Sequence, residues 1–88
     1  MKRAKWCLLT SGYGRSAITL LNLQKNNQLR NNEIALLIYD RDPSGAHELA
    51  KEMGVQSERI KKTHFSNRGD FEDEILQSCR NNDIDFIF

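Results

Sequence analysis

The stretch AKWCLLTSGYGRS, residues 4–16, runs from a short apolar segment through a glycine turn into a helical pattern. Its first part, Ala4 to Thr10, is nearly continuous in apolar residues, which is typical of a strand buried on both faces of a sheet. From Ser16 the period changes, because the next apolar residues share one stripe of a helix: Ala17, Ile18, Leu20 and Leu21. The stretch therefore predicts strand, turn and helix in that order.

The same alternation continues along the chain. The predicted elements are a strand over 33–39, a helix that starts at Asp42-Pro43 and stops at Gly54, a short edge strand over 60–63, a helix over 70–80 and a strand over 84–88. Asp42 is expected to cap the second helix, with Pro43 in its first position. This βαβαβαβ order predicts an α/β fold, an open parallel sheet with helices on both faces.

The last predicted strand is apolar and lies where the sequence stops. Such a strand would have one unpaired edge, which invites pairing with another chain or segment. We therefore expect residues 1–88 to be a single domain and the N-terminal fragment of a larger α/β fold, truncated after its fourth strand.

Composition excludes several classes of protein. The net charge of +1 argues against a general nucleic-acid binder. No apolar run reaches the roughly 18 to 20 residues of a membrane span, and the apolar run behind the basic start, Trp6 to Leu9, is far shorter than that expected of a secretory signal. We expect a cytoplasmic protein without nucleic-acid or membrane partners. Cys7 and Cys79 show no metal-ligand spacing, so the sequence predicts two buried thiols and no metal site.

Charge is distributed unevenly along the chain. Residues 1–30 contain six basic residues and no acidic residue: Lys2, Arg3, Lys5, Arg15, Lys25 and Arg30. The remaining residues carry seven basic against twelve acidic side chains. Such a distribution attracts small anions to the amino-terminal third, although scattered solvated charges would give the same count.

The glycine turn is the predicted anion site. A strand that ends in Gly-x-Gly and opens into a helix brings backbone N–H groups and the positive end of the helix dipole to one point. Gly12 and Gly14 allow the turn, Arg15 adds a charge, Ser16 adds a hydroxyl, and Tyr13 lies between the glycines. The alternative is a turn that only joins strand to helix, with Tyr13 as a surface aromatic.

Two further hypotheses use the same turn differently. Gly12, Gly14 and Ala17 fit G-x-G-x-x-A, and Asp40 at the end of the second strand could hold ribose hydroxyls, as in an NAD-binding module of an oxidoreductase. On that hypothesis Asp40→Ala abolishes binding. A non-catalytic flavodoxin-like interaction domain would instead hold no anion at the turn.

A resemblance extends over nearly the whole chain. It rests on Ser11, Gly12 and Gly14, on Gly54-Val55, on the F-x-x-R-x-x-F-E segment formed by Phe65, Arg68, Phe71 and Glu72, and on Asp85 with the strand after it. In this order the sequence resembles the N-terminal half of the folate-dependent formyltransferases, and most closely those whose acceptor is phosphoribosylglycinamide.

The resemblance implies a function for each part. The turn, Gly12 to Ser16, would hold the phosphate of a small phosphate-bearing amine, and Arg68 would face the donor, 10-formyltetrahydrofolate. The family's catalytic residues lie beyond the last strand, so no catalytic residue is expected here and the chain alone is expected to be inactive. A missing C-terminal half, or a second copy, would cover the last strand.

The turn departs from the family's usual S-G-x-G-S-N at Tyr13, Arg15 and Ser16. Another amine acceptor therefore stays open, such as an amino sugar carried on a nucleotide. On the formyltransferase hypothesis Asp40→Ala is nearly silent, whereas Arg15→Ala and Ser16→Ala weaken binding.

Both histidines are expected to be solvated. His47 falls on the predicted exposed side of the second helix, and His64 lies in the loop near Arg68.

Overall fold

The computed structural model describes residues 3–88. Met1 and Lys2 lie outside the described residues, and Lys2 is one of the six basic residues noted in the amino-terminal third. The elements are β1 (Ala4–Thr10), α1 (Arg15–Lys25), β2 (Asn32–Tyr39), α2 (Gly45–Met53), β3 (Gln56–Arg59), a 3-10 helix (Lys62–His64), α3 (Arg68–Asn81) and β4 (Phe86–Ile87). The observed β1 has the predicted bounds, and α1 begins one residue before the predicted start.

The four strands form one sheet in the order β3-β2-β1-β4, and all the pairings are parallel. Helices α1 and α2 pack on one face and α3 on the other. This confirms the predicted open parallel α/β sheet. The chain winds from β1 to β3 in one direction and then returns across the sheet to β4, so the order reverses between β1 and β4. In such sheets ligands bind at the carboxyl ends of the strands beside that reversal.

The core has two layers, one on each face of the sheet. Neighbouring residues of β1 point to opposite layers, so that Leu8 packs with α1 and α2 while Cys7 packs with α3. The register between β1 and β2 shifts at Trp6 and Cys7, which pair with Ile34 and Leu36 and leave Ala35 without a partner. This bulge places Ile34 in the same layer as Leu37, although strict alternation would put them on opposite faces.

The third strand lies earlier than the sequence predicted. It covers Gln56–Arg59 instead of 60–63, and Lys62–His64 form the 3-10 helix. The segment QSER is polar, but β3 is an edge strand whose backbone pairs with β2, so apolar side chains are not required on both faces. Its predicted position at the edge of the sheet is confirmed.

The start of α2 also differs from the prediction. Asp42 and Pro43, joined by a cis peptide bond, precede the helix, and Ser44 is the N-cap. The Ser44 hydroxyl oxygen accepts a hydrogen bond from the His47 backbone N–H at 3.3 Å, and the Ser44 side chain is buried. Gly54, with φ of 77°, ends the helix as predicted.

Helix α3 and strand β4 have slightly different bounds from those predicted. Asn67 caps α3 through a hydrogen bond from the Asp70 N–H at 2.8 Å, so the helix starts at Arg68. Strand β4 is two residues long and leaves Phe86, Ile87 and Phe88 exposed. Within residues 3–88, no helix has the length and apolar character of a membrane span.

Candidate anion-binding site

The glycine turn lies at the carboxyl end of β1, beside the reversal of strand order. Gly14 has φ of 82°, in the left-handed region that L side chains avoid. A Cβ placed on Gly14 would lie 2.6 Å from the Ala46 Cβ and 2.7 Å from the Thr10 Oγ1. The turn can therefore approach β1 and α2 this closely only with glycine at position 14.

Two hydrogen bonds and one aromatic contact hold the turn in place. The Gly12 N–H donates to Asp40 Oδ1 at 3.0 Å, and the Ala46 N–H donates to the Tyr13 carbonyl at 3.1 Å. The Tyr13 ring lies against Gly45, where a Cβ would approach within 2.5 Å of the ring, and 60 % of Tyr13 stays exposed. The turn is thus fixed to the end of β2 and to the start of α2.

Helix α1 begins directly after this turn. Its N-cap is Gly14, which has no side chain to accept a hydrogen bond, and its first turn contains no acidic residue. The first N–H groups of a helix have no partner inside the helix. With Arg15 and Ser16 exposed beside them, these groups are a candidate site for a negatively charged group.

A groove of about 420 Å³ opens next to the turn. We call it the lysine groove; its lining residues are Leu9, Thr10, Ser11, Ile38, Tyr39, Asp40, Ile60, Lys61, Lys62, Thr63, Phe71 and Ile75. It lies at the carboxyl ends of β1, β2 and β3 and is closed on one side by α3. The sequence pattern did not indicate this groove, because it predicts the third strand over the residues that form the rim. The adjacent pair Lys61-Lys62 after a strand is the signal that could have indicated it.

Arg68 lies on a different element from the glycine turn. It is the first residue of α3, on the face of the sheet opposite α1, and its side chain is 80 % exposed. Its Nε donates to Glu72 Oε1 at 2.8 Å. Phe65 and Phe71 pack edge to face, with ring centroids 5.8 Å apart, and anchor the segment that carries Arg68. The structure thus groups Gly12 to Ser16 on one turn and places Arg68 at the start of α3.

The prediction for His47 is wrong. Its side chain is only 21 % exposed, because its ring stacks on Tyr39 with centroids 4.2 Å apart. His47 Nδ1 lies 3.9 Å from Asp42 Oδ1, and the ligand atoms of Asp42, His47 and Glu48 all lie within 4.8 Å of one another. The sequence pattern did not indicate this cluster. Both of its carboxylates are exposed, and exposed acidic groups of this kind are common at protein surfaces without a metal. His64 is exposed, as predicted.

Both cysteines are free and buried, as predicted. Burial raises the pKa of the Cys7 thiol, and the neighbouring Cys79 and then Glu58 add to this rise. Glu58 in turn accepts a hydrogen bond from the Ser78 hydroxyl, which links β3 to α3. The thiols are therefore part of the core behind the site.

The fold and the glycine turn define a class of protein: the structure has the α/β fold of the N-terminal half of the formyltransferases, which confirms the resemblance in the sequence. It is similar to phosphoribosylglycinamide formyltransferase from Bacillus halodurans, with a TM-score of 0.85 and 26 % identity, over 94 % of this chain and 42 % of the other.

Glycinamide ribonucleotide transformylase 1 from Geobacillus kaustophilus gives a TM-score of 0.85 at 25 % identity, over 97 % of this chain and 45 % of the other. A formyltetrahydrofolate deformylase from Pseudomonas putida shares the fold at 15 % identity, with a TM-score of 0.80 over 97 % of this chain and 29 % of the other. This chain therefore spans less than half the length of each of these three structures. No protein-family model and no curated protein matches the sequence.

Proposed function

We propose that this chain is the acceptor-phosphate-binding part of an enzyme that moves a formyl group from 10-formyltetrahydrofolate to an amine. The acceptor we propose first is phosphoribosylglycinamide, which would place the enzyme in purine biosynthesis in the cytoplasm. The observation that carries the proposal is the uncapped N-terminus of α1 behind the glycine turn. The similarity to two enzymes with this named activity supports it.

The proposed phosphate site uses main-chain groups first. Phosphate oxygens would accept hydrogen bonds from the free N–H groups at the start of α1, where the helix dipole favours negative charge. Arg15 would neutralise part of the phosphate charge, and the Ser16 hydroxyl would donate one more hydrogen bond. Tyr13, exposed beside Gly45, would cover the acceptor on the side of α2.

The formyl transfer needs chemical groups beyond those that bind the acceptor. The acceptor nitrogen uses its lone pair to form a bond to the formyl carbon, and the carbonyl electrons move onto oxygen. The tetrahedral intermediate then breaks its bond to the folate nitrogen, which takes a proton, while the acceptor nitrogen loses one. A base and an oxyanion donor are required. We assign no residue of this chain to either task; its role is to hold the acceptor.

Arg68 is proposed to face the donor. Folate carries carboxylates, and a guanidinium can pair with a carboxylate through two parallel hydrogen bonds. In the structure this guanidinium contacts Glu72 on the surface, so the donor carboxylate would compete with Glu72. The exposed β4 edge is proposed to be covered by the remaining half of the enzyme or by a second copy.

The NAD hypothesis assigns Asp40 to a ribose. In the structure this carboxylate accepts a hydrogen bond from the Gly12 N–H through its Oδ1 and so stabilises the turn. That contact favours a phosphate site whose shape Asp40 maintains, and we keep NAD as the competing ligand in the test.

The test is a titration of the labelled 88-residue chain, followed by NMR, with glycinamide ribonucleotide and separately with NAD. We expect glycinamide ribonucleotide to shift the amide signals of Gly12 to Ser16, and Arg15→Ala and Ser16→Ala each to weaken its binding by about tenfold, as the loss of a charge-assisted hydrogen bond predicts.

Arg30→Ala is the matched control, because it removes an exposed arginine outside the turn. Equal weakening by Arg30→Ala would indicate nonspecific charge attraction. Binding of NAD alone, without a response to the ribonucleotide, would contradict the proposal.

A further inference from the structure

Three side chains with metal-ligating atoms meet at the start of α2. Asp42 precedes the helix, and His47 and Glu48 lie in its first turn. One ligand atom from each residue lies within 4.8 Å of the other two, and His47 Nδ1 is 3.9 Å from Asp42 Oδ1. These residues are not part of the glycine turn, and the proposed function uses none of them.

The imidazole is the member of this cluster that requires an explanation. His47 Nδ1 is buried and has no hydrogen-bond partner among residues 3–88. The ring is nevertheless held in place, because it stacks on Tyr39 with centroids 4.2 Å and planes 12° apart. Asp42 Oδ1, at 3.9 Å, is too distant to accept a hydrogen bond from it. A buried polar atom without a partner is costly, and in native proteins a protein group, a water or an ion satisfies it.

The two carboxylates alone would not indicate a metal, since the helix dipole favours negative charge at the N-terminus of any helix. Within residues 3–88, however, neither Asp42 nor Glu48 forms an ion pair with a lysine or an arginine. Both side chains are exposed, so they can reorient at little cost. Their charges are therefore available to a cation that contacts His47 Nδ1.

The distances in the cluster suit a small divalent ion. Zn²⁺ binds nitrogen and carboxylate oxygen at about 2.0 to 2.2 Å, so two of its ligand atoms lie at most about 4.4 Å apart. His47 Nδ1 and Asp42 Oδ1 already meet this limit, and Glu48 can meet it by a small movement of its exposed side chain. An imidazole nitrogen suits Zn²⁺ and related transition-metal ions, whereas Mg²⁺ and Ca²⁺ prefer oxygen ligands.

We propose that Asp42, His47 and Glu48 form a binding site for a divalent transition-metal ion of the Zn²⁺ type. Nδ1 and one oxygen of each carboxylate would hold the ion, and the fourth tetrahedral position would take a water. The ion would join the segment after β2 to the first turn of α2. The expectation of no metal site rested on the spacing of the cysteines, whereas these ligands are two carboxylates and an imidazole. The inference does not rest on the proposed function.

The test is a titration of the untagged 88-residue chain with Zn²⁺, followed by NMR of the labelled histidine rings. The chain has two histidines, so His64, in the 3-10 helix, is the internal control. We expect the His47 ring signals to shift until one ion is bound per chain, and those of His64 to stay unchanged. The thermal midpoint should rise with the Zn²⁺ concentration, because the ion binds the folded chain. Mg²⁺ and Ca²⁺ should bind at least about tenfold more weakly.

The variants Asp42→Asn and Glu48→Gln keep the size of each side chain and remove a charged ligand. We expect each to weaken Zn²⁺ binding at least about tenfold. Asp73→Asn and Glu74→Gln are the matched controls, because both remove exposed carboxylates from α3, outside the cluster. Thermal midpoints without metal establish that each variant is folded.

Four results would overturn the inference: no saturable binding of Zn²⁺, equal shifts of the His47 and His64 rings, equal weakening by the cluster and control variants, or Mg²⁺ binding as tightly as Zn²⁺. The metal site and the phosphate site fail separately. The Zn²⁺ titration is measured at the His47 ring, whereas the ribonucleotide titration is measured at the amides of Gly12 to Ser16.

Discussion

Gly14 is the residue on which the shape of the turn depends most. An alanine there would have to adopt φ of 82° and bring its Cβ within 2.7 Å of both Ala46 and Thr10. We expect Gly14→Ala to lower the free energy of unfolding by about 2 to 4 kcal/mol, since left-handed strain and crowding add. Chemical denaturation measures this loss.

Gly54 provides the matched control for Gly14. It has φ of 77°, but open space surrounds the position of its Cβ. Gly54→Ala should therefore cost only the strain of the left-handed conformation, about 1 kcal/mol. Equal losses in the two variants would mean that crowding at Gly14 is relieved by movement of the turn.

Asp40 is predicted to stabilise the turn. Asp40→Ala leaves the Gly12 N–H without its acceptor, and we expect a loss of about 1 to 2 kcal/mol in unfolding free energy together with weaker phosphate binding. Asp40→Asn keeps a carbonyl oxygen at the same place and should restore most of both quantities. The formyltransferase hypothesis in the sequence analysis expects Asp40→Ala to be nearly silent. If Asp40→Ala changes neither the unfolding free energy nor phosphate binding, the turn holds its shape without this contact.

The buried Cys7 thiol predicts a pH dependence of stability. Because burial raises its pKa, the folded chain keeps the proton while the unfolded chain releases it above about pH 8.5. The unfolded state then binds fewer protons, so the stability falls as the pH rises, by up to about 1.4 kcal/mol per pH unit. Between pH 7 and 9.5 the wild type should lose about 1.4 kcal/mol more than Cys7→Ala. Parallel pH profiles would contradict this origin.

Among the elements, α2 depends on its N-cap. Ser44 is buried and accepts the His47 N–H, so Ser44→Ala should lower the unfolding free energy by about 1 kcal/mol. Ser44→Gly also lacks the hydroxyl, but glycine is a better N-cap than alanine and should cost only a few tenths. Urea unfolding of the two variants distinguishes them; equal losses would assign the effect to buried packing rather than to the cap.

The sequence predicted elements well where a local signal and the tertiary structure agree. Strand β1 is an apolar run that the sheet buries, and Gly54 is a glycine in the left-handed conformation that ends a helix. Strand β3 was misplaced because QSER has no apolar pattern, and its strand conformation comes from pairing with β2. The start of α2 was misplaced because Asp42, Pro43 and Ser44 all carry start signals, and only the folded chain selects Ser44.

The candidate site was predictable in part for the same reason. The glycine turn is a local motif, so its residues and position could be predicted. The contact between Gly12 and Asp40 joins residues 28 positions apart, and it requires the parallel register of β1 and β2. The burial of His47 under Tyr39 likewise depends on how α2 packs on β2. Lys61 and Lys62 became part of a groove only once β3 ended before them.

For the whole molecule, the main exposed feature is the edge of the sheet at β4, which has no strand of residues 3–88 paired with it. Strand β4 pairs with β1 on one side and forms the edge of the sheet on the other. Phe86 and Phe88 are 52 % and 63 % exposed, and the Phe86 ring lies 4.9 Å from that of Trp6. An apolar edge strand of this kind is a template for pairing with another strand.

We therefore expect the 88-residue chain to self-associate reversibly as its concentration rises, in sedimentation or light-scattering measurements. Phe86→Lys should weaken this association at least about tenfold, because burying a phenylalanine contributes about 1.5 to 3 kcal/mol and a lysine blocks the edge. Leu76→Lys is the matched control, since Leu76 is 43 % exposed but lies on α3 rather than on the edge strand. If Leu76→Lys disrupts association as strongly as Phe86→Lys, general apolar contact rather than strand pairing drives the association. If the wild type stays monomeric at every concentration, the expectation is wrong and the twist and short length of the edge strand already protect it.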